Sequence, residues 1–492
     1  MNITDTYNQT AKRWPNKCAV QDAKGSISYQ AWGQRVAQIA AWLLAQKQTT
    51  RPHRIGLYLQ SSSFFLQCFA AIARIGWTAV PFDPRLGASE LRAKMKLANV
   101  QLMIVEPEWQ ERCPRSEMMT ISTDTLSAAC AQMKTRAAAV PAMQLPFFLG
   151  FTSGSTGRPK GFIRDQASWI NSFTCNARDL NWCAQETILI AGSLLGTHFL
   201  YAAISGLYFG ATVILLDSFS PKRCWEMIES KAPTQVIVVP TMLESLLSSD
   251  ASSMKHFHWL CSGAKCPDVT KRRIKAAFPA SRFDEYYGAS ELSFVALCRE
   301  EEHAPGESVG RPFHAVSIKV EREDGTPAHL GEAGLVFVKS PFVCAHYLTE
   351  SGTMTLCRSG AWTTVGDIGY LNEKGYLFIL GRKNGMINYG GLNIFPEEIE
   401  RVLQEMAAID QLAVVGVPDQ HWGQIAAAFI QVRPGYTLDK KMLRTYCFKK
   451  LTAYKVPRLW YLLKRMPYTA TGKIDRQQLK RCYREAGSWK KL

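Results

Sequence analysis

Between Arg54 and Glu106 short apolar runs alternate with amphipathic stretches: IGLYL, then SSFFLQCFAAIARIG, TAVPF, SELRAKMKLANV and LMIVE. Runs this apolar suit strands covered on both faces, and the stretches between them carry apolar residues at helical spacing. A chain that repeats strand, helix, strand is committed to parallel sheet with helices packed on it. The alternation returns from Thr187 to Leu216 and again at QVIVVP and FHWLCSGA. The expected fold class is α/β, with a large N-terminal body of mostly parallel sheets in several subdomains. At 492 residues the chain exceeds one compact core, so a second domain is expected.

Past about residue 310 the texture changes. VSIKVEREDGTPAHLGEAGLVFVKS and DIGYLNEKGYLFILGRKNG have the alternation and turn residues of antiparallel hairpins. FPEEIERVLQEM places Pro396 at a helix start with acids in the first turn, and strands and basic helices follow. The pattern predicts a domain over 1–383 and a compact α+β domain over 384–492, divided at Asn384.

Thr187 to Leu216 runs for thirty residues without a formal charge, long enough to cross a bilayer. Its glycines and hydroxyls also divide it into a buried strand, a helix and a second buried strand. Apolar and charged fractions of 47% and 20% describe a globular chain. The balance of 58 basic against 41 acidic side chains is skewed: residues 440–492 hold sixteen Lys or Arg against Asp475 and Glu485. That surplus suits nucleotides, coenzymes, an acidic carrier protein or an acidic membrane face, and is equally the composition of a solvated basic surface. Nucleic acid is not the partner expected. Fourteen cysteines without a Cys-x-x-Cys pair argue against zinc and for reduced thiols, which points to a cytoplasmic setting. The first residues lack the apolar core and cleavage site of a secretory signal.

TSGSTGRPKG (152–161) crowds hydroxyls among glycines before a lysine, the makings of a loop that wraps a phosphate chain. It lacks the Gly-Lys-Ser/Thr of a Walker-type loop. Four further stretches accompany it: YYGASE (286–291), expected to end a strand on a Gly turn and deliver Glu291; TVGDIGY (364–370), presenting Asp367 in a tight turn; GRKNGMINYGGLNIFPEEIE (381–400); and PYTATGKIDR (467–476) with Lys473. In this order the five strongly resemble the adenylate-forming superfamily, which includes acyl-CoA synthetases, peptide-synthetase adenylation domains and beetle luciferase. The bacterial fatty-acid-CoA ligases are the members most resembled, through KGFIRDQASWINSF.

The resemblance implies ATP, Mg²⁺ and CoA as cofactors, and a carboxylic acid activated as its adenylate and passed to a thiol. Thr152, Ser153, Gly154, Ser155, Thr156, Gly157 and Lys160 would hold the β- and γ-phosphates. Gly263, Ala264 and Lys265, with Glu285, Tyr286, Tyr287, Gly288 and Ser290, would wall the adenine and its surroundings. Glu291 would bind the metal, Asp367 the ribose hydroxyls, and Arg382 ribose or phosphate. Lys473 would bridge the acid and the α-phosphate. Gly390 and Gly391 would leave room for the pantetheine arm.

The resemblance also implies that the C-terminal domain is mobile about a hinge at Asn384; departures from the family pattern are Val365 before Gly366-Asp367, the neutral Asn384 itself, and Gly385 after it. The gate on the acyl side falls on Leu195, with His198 one turn on. LLGTHFLYAAISGLYFG carries no acid to hold an ammonium group, so a simple carboxylic acid is expected. A medium- or long-chain fatty acid comes first, with an aryl or o-succinylbenzoate-type acid second. Loading of a carrier protein and a catalytically silent nucleotide-binding regulator are the other readings.

Overall fold

The computed structural model describes residues 2–491 apart from 47–53, 114–117, 135–142, 153–159, 250, 345, 355, 384, 391, 470–472 and 485–489. Two sheets form the body. The first runs in space Arg311–Pro312, Ser293–Cys298, Arg282–Ala289, His258–Cys261, Gln235–Val238, Thr187–Ile190, Thr212–Leu215, Cys18–Asp22 and Gly25–Ser28. Every pairing from Arg282–Ala289 across to Cys18–Asp22 is parallel. The second carries Thr78–Pro81, Arg54–Tyr58, Leu102–Val105 and Met119–Ser122 in parallel beside the antiparallel pair Pro146–Thr152 and Lys160–Asp165. The alternation read between Arg54 and Glu106 therefore folds as expected, with helices Ser63–Arg74 and Ala88–Ala98 between its strands.

Aromatic packing fills the space beside the second sheet. Trp169 is fully buried and its ring meets Phe69, Phe147, Phe148 and Tyr201 at centroid distances of 5.1–6.2 Å. Each such ring buries a large apolar area, and offset or edge-to-face contacts between rings are favourable. The uncharged segment Thr187–Leu216 divides into strand Thr187–Ile190, helix Thr197–Phe209 and strand Thr212–Leu215. Gly210 ends the helix with φ +82°, a left-handed cap that suits glycine. Among the described residues no helix is long and apolar enough to cross a membrane.

The change of texture past residue 310 becomes a smaller antiparallel sheet, in which Ser317–Glu321 pairs with Gly334–Lys339 and Asp367–Leu371 with Leu377–Arg382. The last hundred residues build a core of their own around Ile387, Ile399, Val414, Phe429 and Trp460. The long hairpin Ile409–Asp419 and Gly423–Val432 is its spine, flanked by helices Pro396–Gln404, Lys440–Phe448 and Arg476–Arg484. Ion pairs Arg401–Glu307 at 2.8 Å and Arg433–Glu244 at 3.6 Å join this lobe to the body.

One local expectation is corrected. Gly288 does not make the turn of YYGASE; the strand runs on to Ala289 and turns over Ser290 to Leu292. Glycine is needed there for closeness, because a Cβ at 288 would lie 2.2 Å from the carbonyl oxygen of Ser293 on the returning strand. Gly288→Val forces this hairpin apart, and overpacking of this kind costs about 1–3 kcal/mol. The expected outcome is a lower urea midpoint of unfolding; an unchanged midpoint contradicts the close approach.

Candidate active site

The parallel strands of the first sheet bring their carboxyl ends to one edge of it, the side on which open α/β sheets bind ligands. Strand Thr187–Ile190 leads to Leu195 and His198, Gln235–Val238 to Val239, His258–Cys261 to Gly263, and Arg282–Ala289 to Glu291. Asp367 arrives from the smaller sheet, just after Gly366, whose φ of +88° makes the tight turn expected of TVGD.

Asp367 and Arg382 face each other in register on paired strands, with Arg382 Nε donating to Asp367 Oδ1 at 2.8 Å. The Tyr287 hydroxyl donates to Asp367 Oδ2. Each carboxylate oxygen thus spends one acceptor site and keeps another. Arg382 keeps 57% of its side-chain surface open to water while protein crowds it on other sides, the setting of a cleft wall. Burial works against its charge, but Asp367, Glu291 and Tyr287 more than offset this and raise its proton affinity.

Glu291 is buried and its Oε1 accepts from the Tyr347 hydroxyl at 2.7 Å. Among the described residues no group of three or more His, Cys, Asp or Glu could hold a metal alone. Glu291 is a single hard-oxygen donor. That fits Mg²⁺, which takes one or two carboxylates and completes its shell with phosphate oxygens and water.

Lys473 comes from the other lobe. Its loop is pinned by Thr469 N–H donating to the Lys473 carbonyl at 2.7 Å and by a bridge between Tyr468 and Ile474. The residue keeps surface open to water, and its side chain reaches the first sheet's edge: Cε stands 3.5 Å from where a Cβ on Gly263 would begin. Gly263, at φ +98°, is therefore glycine for its backbone angle and leaves little room beside it. Surrounding protein lowers the Lys473 proton affinity, as does Arg382, while Glu291 and Asp367 act the other way. Four charges from two lobes meet here.

Other predicted residues take different places. The side chains of Lys265 and Glu285 are turned on each other at 2.8 Å, with Lys271 on the same carboxylate at 2.9 Å and Cys266 N–H on its other oxygen. Burial alone would raise the Glu285 carboxyl; Lys265 and Lys271 reverse this and hold it below its usual range. Any contact of these two with a nucleotide would come from backbone, like that of Gly263 and Ala264, which are exposed. Ser290 Oγ reaches Thr197 Oγ1 at 3.4 Å, tying the hairpin to the helix that carries His198. Leu195 is half-buried at that helix's approach. Gly390 has φ +56°, and a Cβ there would lie 2.8 Å from the Trp422 ring, which gives this glycine a packing reason of its own. Thr152 and Lys160 are paired in register where strands Pro146–Thr152 and Lys160–Asp165 meet. Ser153, Gly154, Ser155, Thr156, Gly157, Asn384 and Gly391 lie outside the described residues.

His198 shows what the sequence could not. Its Nδ1 accepts from the Tyr286 hydroxyl at 2.5 Å and its Nε2 donates to the Val238 carbonyl at 3.2 Å, so the ring is held neutral in one tautomer. Burial lowers its pKa to about 4, and Lys473 pushes the same way. A folded-state pKa below the unfolded value of about 6.5 means stability that is complete above that pH and lost as pH falls toward 4. The ring proton signals of His198 should therefore stay in their neutral position down to about pH 5 in an NMR titration. A midpoint near 6.5 contradicts the paired geometry.

The sequence pattern of the AMP-binding enzyme family matches residues 7–348, and that of the AMP-binding enzyme C-terminal domain residues 398–473. YhfT of Bacillus subtilis (strain 168), named an uncharacterized acyl-CoA ligase, is 38% identical over all of both chains. VraA of Staphylococcus epidermidis, provisionally named a long chain fatty acid-CoA ligase, is 33% identical over 68% of this chain and 70% of its own. The o-succinylbenzoate coenzyme A synthetase MenE of Bacillus subtilis, solved with ATP and magnesium, superposes with a TM-score of 0.85 at 25% identity, covering 96% of this chain and 98% of that one. The matched patterns, the full-length relative and the shared architecture make this chain a member of the AMP-binding enzyme family, an AMP-forming acyl-CoA ligase of the adenylate-forming superfamily.

Proposed function

We propose that the chain activates a fatty acid with ATP and transfers the acyl group to CoA. The observation that carries this reading is the reach of Lys473 from the C-terminal lobe to the cleft of Gly263, Glu291, Asp367 and Arg382. An acid's carboxylate oxygen attacks the ATP α-phosphorus, the bond to the bridging oxygen breaks, and pyrophosphate leaves with the electron pair. Negative charge gathers on the phosphoryl oxygens during this exchange, so fixed cations that meet it there lower the barrier. Lys473 is assigned to the oxygens joining acid and α-phosphate, Arg382 to ribose or phosphate, and Asp367 to the ribose hydroxyls. When bound, Mg²⁺ on Glu291 supplies further positive charge at the phosphates.

In the second step the CoA sulfur bonds to the acyl carbon, the acyl–phosphate oxygen bond breaks, and AMP departs while the thiol proton passes to solvent. The division into lobes at residue 384 gives this step its geometry: rotation there withdraws Lys473 and turns the hairpin of Gly390 and Gly391 toward the adenylate. The Arg401–Glu307 pair, with its exposed carboxylate, is one of the contacts that must break. Pairs of this kind are worth about 0–1 kcal/mol. The fatty acid is favoured because helix Thr197–Phe209 presents no formal charge and His198 is neutral, and VraA offers the same class of acid. The likeness to MenE favours an o-succinylbenzoate-type acid as the second reading.

Pyrophosphate release measured over fatty acids of increasing length, benzoates and o-succinylbenzoate decides between them. Greatest kcat/KM with a fatty acid is expected; preference for o-succinylbenzoate installs the second reading, and no release with any acid overturns both. CoA and a carrier-bound phosphopantetheine, supplied in parallel, identify the acceptor. Lys473→Ala should reduce pyrophosphate release by ~10²–10³-fold, the scale for removing one preorganised charge-stabilising group. Its reaction of preformed acyl-adenylate with CoA should be nearly unchanged, and equal loss of both half-reactions contradicts the assignment.

A further inference from the structure

Arg164 lies on strand Lys160–Asp165 and is 1% exposed. A guanidinium so buried is normally ion-paired, since an unpaired charge costs several kcal/mol to remove from water. Here its hydrogen bonds go to neutral groups: Nη1 donates to the Phe342 carbonyl, and Nη2 to Ser293 Oγ at 2.7 Å. Nε has no partner among the described residues. Burial lowers its proton affinity, with Cys344, Glu291, Asp165 and Tyr201 opposing.

The two segments it joins are the ones that frame Glu291. Ser293 stands two residues beyond Glu291 and holds φ +61°, a left-handed angle that a side-chain-bearing residue adopts only under constraint. Phe342 begins the stretch in which Cys344 N–H donates to the Glu291 carbonyl at 2.7 Å. A few residues on, Tyr347 donates to the Glu291 carboxylate at 2.7 Å, and burial and Glu291 itself raise its proton affinity, so it stays a donor. Tyr347 is registered opposite Phe162, and Ile163 opposite His346, on the strand that carries Arg164. Backbone, side chain and the strained residue beyond Glu291 are thus all tied to one strand.

We propose that Arg164 and Tyr347 are positioning residues for Glu291: Arg164 fixes its turn against the 342–344 segment, and Tyr347 aims its carboxylate at the metal–nucleotide. This rests on the assignment of Glu291 as the magnesium ligand. It explains why a costly buried charge is retained where an apolar side chain of similar length would pack.

The test uses the full-length enzyme and Mn²⁺ as a paramagnetic probe. Its affinity in the presence of a non-hydrolysable ATP analogue is read by electron paramagnetic resonance, alongside the urea midpoint and the Mg²⁺ dependence of pyrophosphate release. Arg164→Met and Tyr347→Phe should each weaken Mn²⁺–nucleotide binding about three- to ten-fold, a range that follows from losing one or two hydrogen bonds to a charged group's framework. Both should keep the KM for the acid and the conversion of preformed acyl-adenylate to thioester. Arg164→Met removes a buried charge but also its hydrogen bonds to Ser293 and Phe342, so the urea midpoint is read beside the affinity to separate loss of fold from loss of positioning. Glu291→Gln is the control for the underlying assignment. If it leaves Mn²⁺ affinity unchanged, the metal role of Glu291 fails. If it weakens binding while Arg164→Met and Tyr347→Phe do not, the positioning proposal is overturned and the assignment stands. Should Arg164→Met unfold, Tyr347→Phe alone decides: normal Mn²⁺ affinity overturns the proposal for both residues.

Discussion

A nucleotide's phosphates bring several negative charges into one cleft, and the arrangement of this protein follows from the need to meet them with charge held in place. Asp367 steadies Arg382 from the facing strand, Tyr287 steadies Asp367, and Tyr347 steadies Glu291. Each anchor sits on a sheet strand or beside one, so the sheets act as a rigid bench for the charged groups. The exception is Lys473, carried on a loop of the separate lobe. On the proposed mechanism, a cation needed for one half-reaction and withdrawn for the other is well placed on a separate lobe.

The junction between the lobes agrees with that division. Arg401–Glu307 is a polar contact with an exposed carboxylate, Arg433 pairs with the buried Glu244, and Gly381 lies close to Glu397 and Phe395 where the lobes meet. Burial raises the Glu397 carboxyl, and Glu400 beside it does likewise. These contacts differ from the core around Trp169, where aromatic rings pack on one another on every side.

Much of the fold was legible in the sequence because strands buried on both faces leave an unmistakable apolar run, as at LMIVE and QVIVVP. The segment Thr187–Leu216 was ambiguous for the same reason: lack of charge records burial without saying in what. Gly288 was read as a turn because composition cannot tell a residue that must bend from one that must leave space. The charged members of the cleft were visible through their order along the chain. The polar contacts that orient them were not. Arg164 meets partners 129 and 178 positions away, and Tyr347 reaches back 56 positions to Glu291, distances at which no local pattern survives. The pairing of Lys265 with Glu285 and the tautomer of His198 were hidden likewise, since each is decided by which strand lies next door.

If helix Thr197–Phe209, with its neutral histidine, lines the acyl site as proposed, its lack of charge has a consequence for selectivity. A wall without charge exerts no directional pull on a passing hydrocarbon and can reward only the area it covers. Each methylene laid along such a wall is worth about 0.8 kcal/mol, or roughly four-fold in affinity. Homologous tails would then be sorted by a graded slope ending where the groove ends, with no sharp threshold between neighbouring lengths.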